Sequence, residues 1–350
     1  MKVLCLVFIV SSIVTPVYTF AATQEGTGPH TNSWQERSRQ LLQSEITNGD
    51  SSQRTEPWQT VKDLPERQLG LNIIGDVPWL LPAFGETYYL INEYIENLVD
   101  DILADARRAR ARSVTFSYEV YPTQDLVSIL IQATVSSVIS RTLVRSVNFC
   151  PYTGTLMTIH EALDFDIVPL AVRILDERMR RFPERFYAAQ AVSIAEQAFF
   201  VNDQGITILF DEFQLSSIVS GIITLSLDND SIRTATLLPE QLLPTNDAYN
   251  LVMVPVRYIS GQLGYNVNWN NTLQRAELRL NIDGELQVLA WMTPNINEYR
   301  TAEFARSLEA APVNIGGHTF VPISFFDQVL PLTVYTIDSY GKITFLAYLG

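Results

Sequence analysis

The sequence predicts an α+β protein of two mixed helix/antiparallel-sheet domains, the second built from two copies of a small helix-hairpin unit. Three observations predict it. Segments with apolar residues at helical spacing are interspersed with segments of period two. The stretch VPVRYISGQLGYNVNWNN (254–271) has a counterpart, VPISFFDQVLPLTVYTID (321–338), 67 positions later. The chain of 350 residues is longer than one core usually serves, roughly 250 residues.

Residues 1–22, MKVLCLVFIVSSIVTPVYTFAA, place one positive charge before an apolar run and then small residues. This is the pattern of a signal peptide, cut after Ala21, with Thr19 and Ala21 as the small residues facing the peptidase. The alternative is an uncleaved anchor, since Val3 to Ala22 just reaches the roughly 20 residues that span a bilayer. Residues 23–66 are rich in Gln, Ser, Thr, Glu and Gly and bury too little apolar surface to fold, which predicts a disordered tether. Residues 67–230 and 231–350 are then the two folded domains. Cys5 belongs to the signal segment, so Cys150 stands alone in the mature chain and is read as a small buried hydrophobe.

In the first domain Ile91, Ile95, Leu98, Ile102 and Ala106 make one helical stripe, which ends in Arg107, Arg108, Arg110 and Arg112. Cations there complement the helix dipole; the other reading is a docking patch for an anionic wall polymer or partner. Val114, Phe116, Tyr118 and Val120 alternate as a half-buried strand, and 126–135 gives a second extended run. A turn is expected at 148–154, helices at 167–182 and 185–198 separated at Pro183, and a hairpin at 199–210. A further strand is expected at 222–227. The polar segment 228–250 is read as the inter-domain boundary.

Asn92, the strings Ser146-Val147-Asn148-Phe149 and Tyr152-Thr153-Gly154, Ile159 to Leu163, and Phe199-Phe200-Val201 with Gly205-Ile206 and Phe210 carry a resemblance. They make 69–227 similar to the extracellular RsiV-like domain, known from lysozyme-sensing anti-sigma factors and from parts of some peptidoglycan deacetylases. Val135-Ser136-Ser137-Val138 stands where that family has Gly-Gly-Ala-His.

In the second domain Pro255 is expected at the first helical position. Val256, Ile259 and Leu263 line one helix face, and Gly264 ends the helix in a left-handed conformation. Tyr265, Val267 and Trp269 then alternate as a strand, with Trp269 read as core, and Ala276, Leu278 and Leu280 form the returning strand. In the second copy Pro322, Leu330 and Val334 repeat Pro255, Leu263 and Val267, while Pro331 and Thr336 replace Gly264 and Trp269. The strings Val-Pro-Val-Arg, Val-Asn-Trp-Asn and Gly-Gly-His-Thr-Phe-Val-Pro-Ile resemble the copper amine oxidase N-terminal (stalk) domain, over about 237–349. That resemblance implies an accessory module of bacterial envelope proteins and no oxidase centre.

The composition carries no catalytic set. His30, His160 and His318 are too scattered for a local metal site, so neither copper nor any other cofactor is expected. Asp100/Asp101, Asp164/Asp166 and Asp211/Glu212 are carboxylate neighbours, read as solvated or capping groups. A net charge of -14 argues against nucleic acid as a partner. Candidate ligand-binding residues are the aromatics Trp291 and Tyr299, able to stack on sugars, and Arg107 and Arg108; Trp269 is a further stacking candidate beside its reading as core. The sequence thus reads as a secreted bacterial envelope protein, non-enzymatic, binding peptidoglycan, another wall polymer or an envelope protein. A membrane partner is expected only if the N-terminal segment stays uncleaved. A lysozyme-binding sensor ectodomain is one alternative, although only Met1-Lys2 precede the apolar run; an accessory to a wall hydrolase or deacetylase is the other.

Overall fold

The computed structural model describes residues 60–62, 67–68, 70–80, 88–186, 192–216, 221–242 and 251–349. The signal and most of the tether expected from the sequence lie outside them. The fold is mixed α+β, with few helices and many antiparallel sheets.

Strand β1 (Thr60–Lys62) precedes a five-stranded sheet of order β2-β3-β5-β6-β7, formed by β2 (Arg67–Gln68), β3 (Leu71–Gly75), β5 (Ser113–Pro122), β6 (Val127–Ser136) and β7 (Arg141–Phe149). Strand β4 (Val77–Trp79) pairs instead with β1. Helix α1 (Tyr88–Arg108) crosses over from β4 to β5, which allows β3 and β5 to pair in parallel. Its buried residues Tyr88, Ile91, Ile95, Val99, Ile102 and Ala106 recur every three or four positions and pack with Val114, Phe116, Ile129 and Ile131 of the sheet. The buried Asn92 of α1 joins the helix to the chain leaving β4. Its Oδ1 accepts from the Leu80 N–H and its Nδ2 donates to the Leu80 carbonyl, both at 2.9 Å. At Gly75 (φ +87°) a Cβ would lie 2.0 Å from the Phe116 carbonyl oxygen, so only glycine fits that strand end.

Helix α2 (Val168–Arg181) packs over a second sheet of order β8-β9-β10: β8 (Ala198–Asn202), β9 (Gly205–Phe210) and β10 (Ile223–Asp228). Polar side chains link the two sheets by closing their edges. Ser146 Oγ accepts from the Phe199 N–H (3.0 Å), Ser128 Oγ accepts from the Val201 N–H (3.1 Å), and Asn148 Nδ2 donates to the Phe199 carbonyl (3.3 Å). Along β7, the N–H groups of Thr142 and Val144 donate to Glu212 Oε2 (2.8 Å) and Asp211 Oδ1 (2.6 Å).

The remaining strands are β11 (Ile232–Leu237), β12 (Met253–Pro255), β13 (Asn266–Asn270), β14 (Arg275–Ile282), β15 (Glu285–Met292), β16 (Tyr299–Thr301), β17 (Ala305–Arg306), β18 (Val313–Ile315), β19 (His318–Pro322), β20 (Thr333–Ile337) and β21 (Ile343–Tyr348). They form a β13-to-β17 meander and two three-stranded sheets, β12-β19-β18 and β11-β21-β20. Helices α3 (Val256–Gln262) and α4 (Phe325–Gln328) follow β12 and β19. Val254, Ile259, Leu263, Val321, Phe326 and Leu330 are buried in one core with Leu278, Met292 and Phe345. Strand β20 begins and ends 67 residues after β13. Gly264 (φ +87°) turns the chain out of α3; in the corresponding place, where Pro331 stands, Leu332 takes the positive φ (47°).

Several expectations need correction. Where a helix over 185–198 is expected, the described residues form short 3-10 turns at Pro183–Arg185 and Ile194–Glu196, and β8 starts at Ala198; residues 187–191 lie outside the described residues. Pro183 cannot continue α2, and at the far end Ala198 is claimed by β8 through its pairing with Leu209. The segment 228–250 is not simply a linker, because it contains β11, whose residues pair with β21 from Ile232↔Tyr348 to Leu237↔Ile343. Pro255 closes β12 instead of opening α3. The core beneath α2 also takes in Leu346, with Leu332, Val334 and Tyr348 against it, so C-terminal residues help bury the first region.

Replacing Asn92 by Ala strands the buried N–H and carbonyl of Leu80. We expect a loss of about 2–4 kcal/mol in denaturant unfolding, against well under 1 kcal/mol for the exposed neighbour Glu93→Ala.

Candidate functional site

A cavity of about 330 Å³ opens where α3, the β13-β14 hairpin and the β18-β19 turn meet. Its walls include Arg257 and Tyr258 from the start of α3, Val267 and Trp269 from β13, Ala276 from β14, and Asn314 with Gly317, His318 and Thr319 from the turn. Local sequence explains each wall. Val256 and Ile259 are the buried face of α3, which leaves Arg257 and Tyr258 on its outer face. Gly316 and Gly317, at φ 59° and 82°, make a two-residue turn with both residues left-handed, the form that matches strand twist. That turn projects His318 at the head of β19.

Trp269 retains 37% and Tyr258 45% of their surface, so indole and phenol face solvent across the opening. This corrects the expectation that Trp269 is core. Strand β13 is an edge of the meander, and the alternating side of an edge strand is only partly covered. Among the described residues, the side chains of Arg257 and His318 have no hydrogen bond or ion pair. The cavity therefore offers two aromatic surfaces and one uncompensated guanidinium.

Glu277 projects from the opposite face of β14 and is 2% exposed. Arg279 (2.7 Å), Arg275 (2.8 Å) and Asn270 Nδ2 (3.0 Å) all donate to its carboxylate. The Arg279 bond, with those of Arg275 and Asn270, outweighs burial and pushes its pKa down to about 2. Arg275 in turn lies over the Trp291 ring, 4.7 Å from its centroid. Trp291 is thus half-buried and already stacked on a cation.

The other expected sites are dispersed. Tyr299 is wholly buried, its hydroxyl donating to the Ala310 carbonyl at 2.9 Å, so it presents no ring to a ligand; β16 lies between β15 and β17 and turns it into the core. Arg108 is exposed and ion-paired with Asp105, and Arg107 is half-buried. Of the repeat residues, Leu263, Pro322 and Leu330 are buried, while Pro255, Val267 and Val334 are half-buried. His160 sits in a turn, not at a helix start, with Nδ1 2.9 Å from Asp166 Oδ1; the same oxygen accepts from the Val168 N–H at 3.0 Å. Asp100, Asp101 and Asp164 are exposed, and Cys150 is half-buried with a free thiol. His30 lies outside the described residues. Among the described residues no three His, Cys, Asp or Glu side chains are grouped as a metal ion would require. Sequence reasoning missed Arg257, Tyr258 and Asn314 as a group, because the cavity joins segments some sixty residues apart.

Comparison with individual known proteins gives three likenesses. Two solved DUF3298 family proteins are similar: one from Pseudomonas aeruginosa (12% identity, 49% of this chain and 87% of that one, TM-score 0.33) and one from Bacteroides fragilis (10% identity, 46% and 82%, TM-score 0.31). A Brevibacillus choshinensis protein named "Protease inhibitor" is 27% identical over 99 residues. That match covers 28% of this chain and 29% of the relative, so the chain spans under a third of the curated relative's length.

Protonating Glu277 removes the charge that its arginines hold. Its folded pKa lies below the usual value, so its stabilisation is complete above about pH 4.5 and is lost as pH falls towards 2. We expect Glu277→Gln to lower stability by about 2 kcal/mol at pH 7 and to flatten the pH dependence in that window, as read by denaturant titration at several pH values. Residues 241–344 match the family model of the copper amine oxidase N-terminal domain.

Proposed function

We propose that this chain is a non-catalytic binding module of the bacterial cell envelope, acting outside the cytoplasm, and that the α3/β13/β18-β19 cavity receives a wall saccharide bearing an anionic group. The observation that carries this reading is the pairing of open Trp269 and Tyr258 rings with a guanidinium, Arg257, that has no ion-pair partner among the described residues. The apolar face of a sugar ring packs on an aromatic plane, and a guanidinium fork matches a carboxylate or phosphate. The cavity lies at the small end of ligand sites. Engagement of Asp211, Glu212 and Asp166 with backbone N–H groups supports a binding role over hydrolysis.

Within this reading the chain works as two modules behind an exported N-terminus. The second is built from two copies of one unit, β12-α3-β13-β14 and β19-α4-β20-β21. The shared 67-residue offset of their strands supports the duplication. The aromatic walls of the cavity come from the first copy; in the second, Thr336 and the buried Phe325 stand where the first has Trp269 and Tyr258.

The likeness to a protein named a protease inhibitor favours a second reading, in which the partner is a protease. Calorimetric titration with soluble peptidoglycan fragments separates the two. The first reading expects saturable binding, weakened about tenfold or more by Trp269→Ala and by Arg257→Gln, with unfolding stability changed by less than about 1 kcal/mol. Absence of fragment binding, together with inhibition of a secreted protease, supports the second.

A further inference from the structure

We infer that the tip of the β6-β7 hairpin, with the arginines at the end of α1, is a docking surface for an anionic lipid bilayer. Val138 is fully exposed and Ile139 is 69% exposed, two consecutive aliphatic side chains at the turn between long strands. They serve no core. The tip is held in shape: Ser137 Oγ donates to the Ile139 carbonyl at 2.7 Å, and the ladder is closed by Val135↔Arg141.

The arginines adjoin this tip through specific bonds. Arg112 donates its N–H to the Ser136 carbonyl at 2.8 Å, which brings the chain leaving α1 against the base of the turn. Asp105, in the last turns of α1, pairs with Arg108 and also, at 3.8 Å, with Arg141 on the other side of the hairpin. Arg110 and Arg112 are exposed, and their side chains have no hydrogen bond or ion pair among the described residues. Arg108 and Arg141 share the single carboxylate of Asp105 while Arg110 and Arg112 stay open to solvent, so positive charge is concentrated here on a chain whose net charge is -14.

Helix-dipole complementarity explains Arg107 and Arg108 but not two aliphatic residues held out in water. A soluble polyanion would engage the arginines and have no use for Val138 and Ile139. A bilayer with anionic headgroups uses both, aliphatic side chains entering the acyl boundary while guanidiniums sit among the phosphates. This surface is independent of any N-terminal anchor. Among the described residues no helix is long and apolar enough to cross a membrane, so the contact is peripheral.

The test is co-sedimentation of the full chain with vesicles of phosphatidylglycerol and phosphatidylcholine, or of phosphatidylcholine alone, at about 0.15 M salt, where surface charge is still felt within a Debye length. The forms compared are wild type, V138S/I139S and R110Q/R112Q. All three carry the same N-terminus, so differences between them report the tip. We expect at least tenfold stronger partitioning of wild type onto the anionic vesicles and a roughly tenfold loss in each double variant, with unchanged thermal melts because all four positions are exposed. Equal partitioning of the three forms overturns the proposal. So does binding that falls in R110Q/R112Q but is unaffected in V138S/I139S, which would mark a purely electrostatic polyanion surface.

Discussion

The structure depends on polar side chains that close backbone edges no strand covers. A sheet edge leaves a row of N–H and carbonyl groups unpaired, costly when buried and adhesive when exposed. Here Glu212 and Asp211 take the N–H groups of β7, while Ser146, Ser128 and Asn148 serve β8. The same bonds fasten the two sheets of the first region to each other. A carboxylate whose oxygens are taken up by backbone donors is fixed in position, which suits it to holding an edge.

The C-terminal region solves a related problem with charge. Glu277 is buried on the face of β14 and is tolerated there because three donors converge on it, at 2.7 to 3.0 Å. With that face fixed, the opposite face of the same hairpin supports the cavity wall, and Val267, Trp269 and Ala276 are positioned by strands that cannot slip register without exposing Leu278. A rigid wall matters for binding, since a ring already held in place loses little freedom when a ligand stacks on it.

Much of the fold was legible in the sequence wherever periodicity was local. The apolar stripe of α1, the alternation of β5, the 199–210 hairpin and the strand pair around Asn271 can each be read from a dozen residues. What escaped depends on distant partners. Strand β11 reads as polar linker because its pairing edge, β21, comes a hundred residues later. Tyr299, flanked by Glu298 and Arg300, reads as surface and is buried by the strands on either side of β16. Trp269 fails in the other direction, as an alternation that predicts core on a strand with one edge uncovered. Arg257 and Tyr258 stand on the outer face of α3, and only the folded chain brings the β18-β19 turn across from them.

The central claim is that the open aromatic cavity, and not a cluster of reactive groups, is where this molecule meets its ligand. A crystal structure of the chain soaked with soluble wall-glycan fragments tests it most directly. The account predicts density for a sugar ring packed on Trp269 and Tyr258, with an acidic substituent at the Arg257 guanidinium and the glycan intact. Density lodged elsewhere, or a fragment cleaved in the crystal, would contradict it.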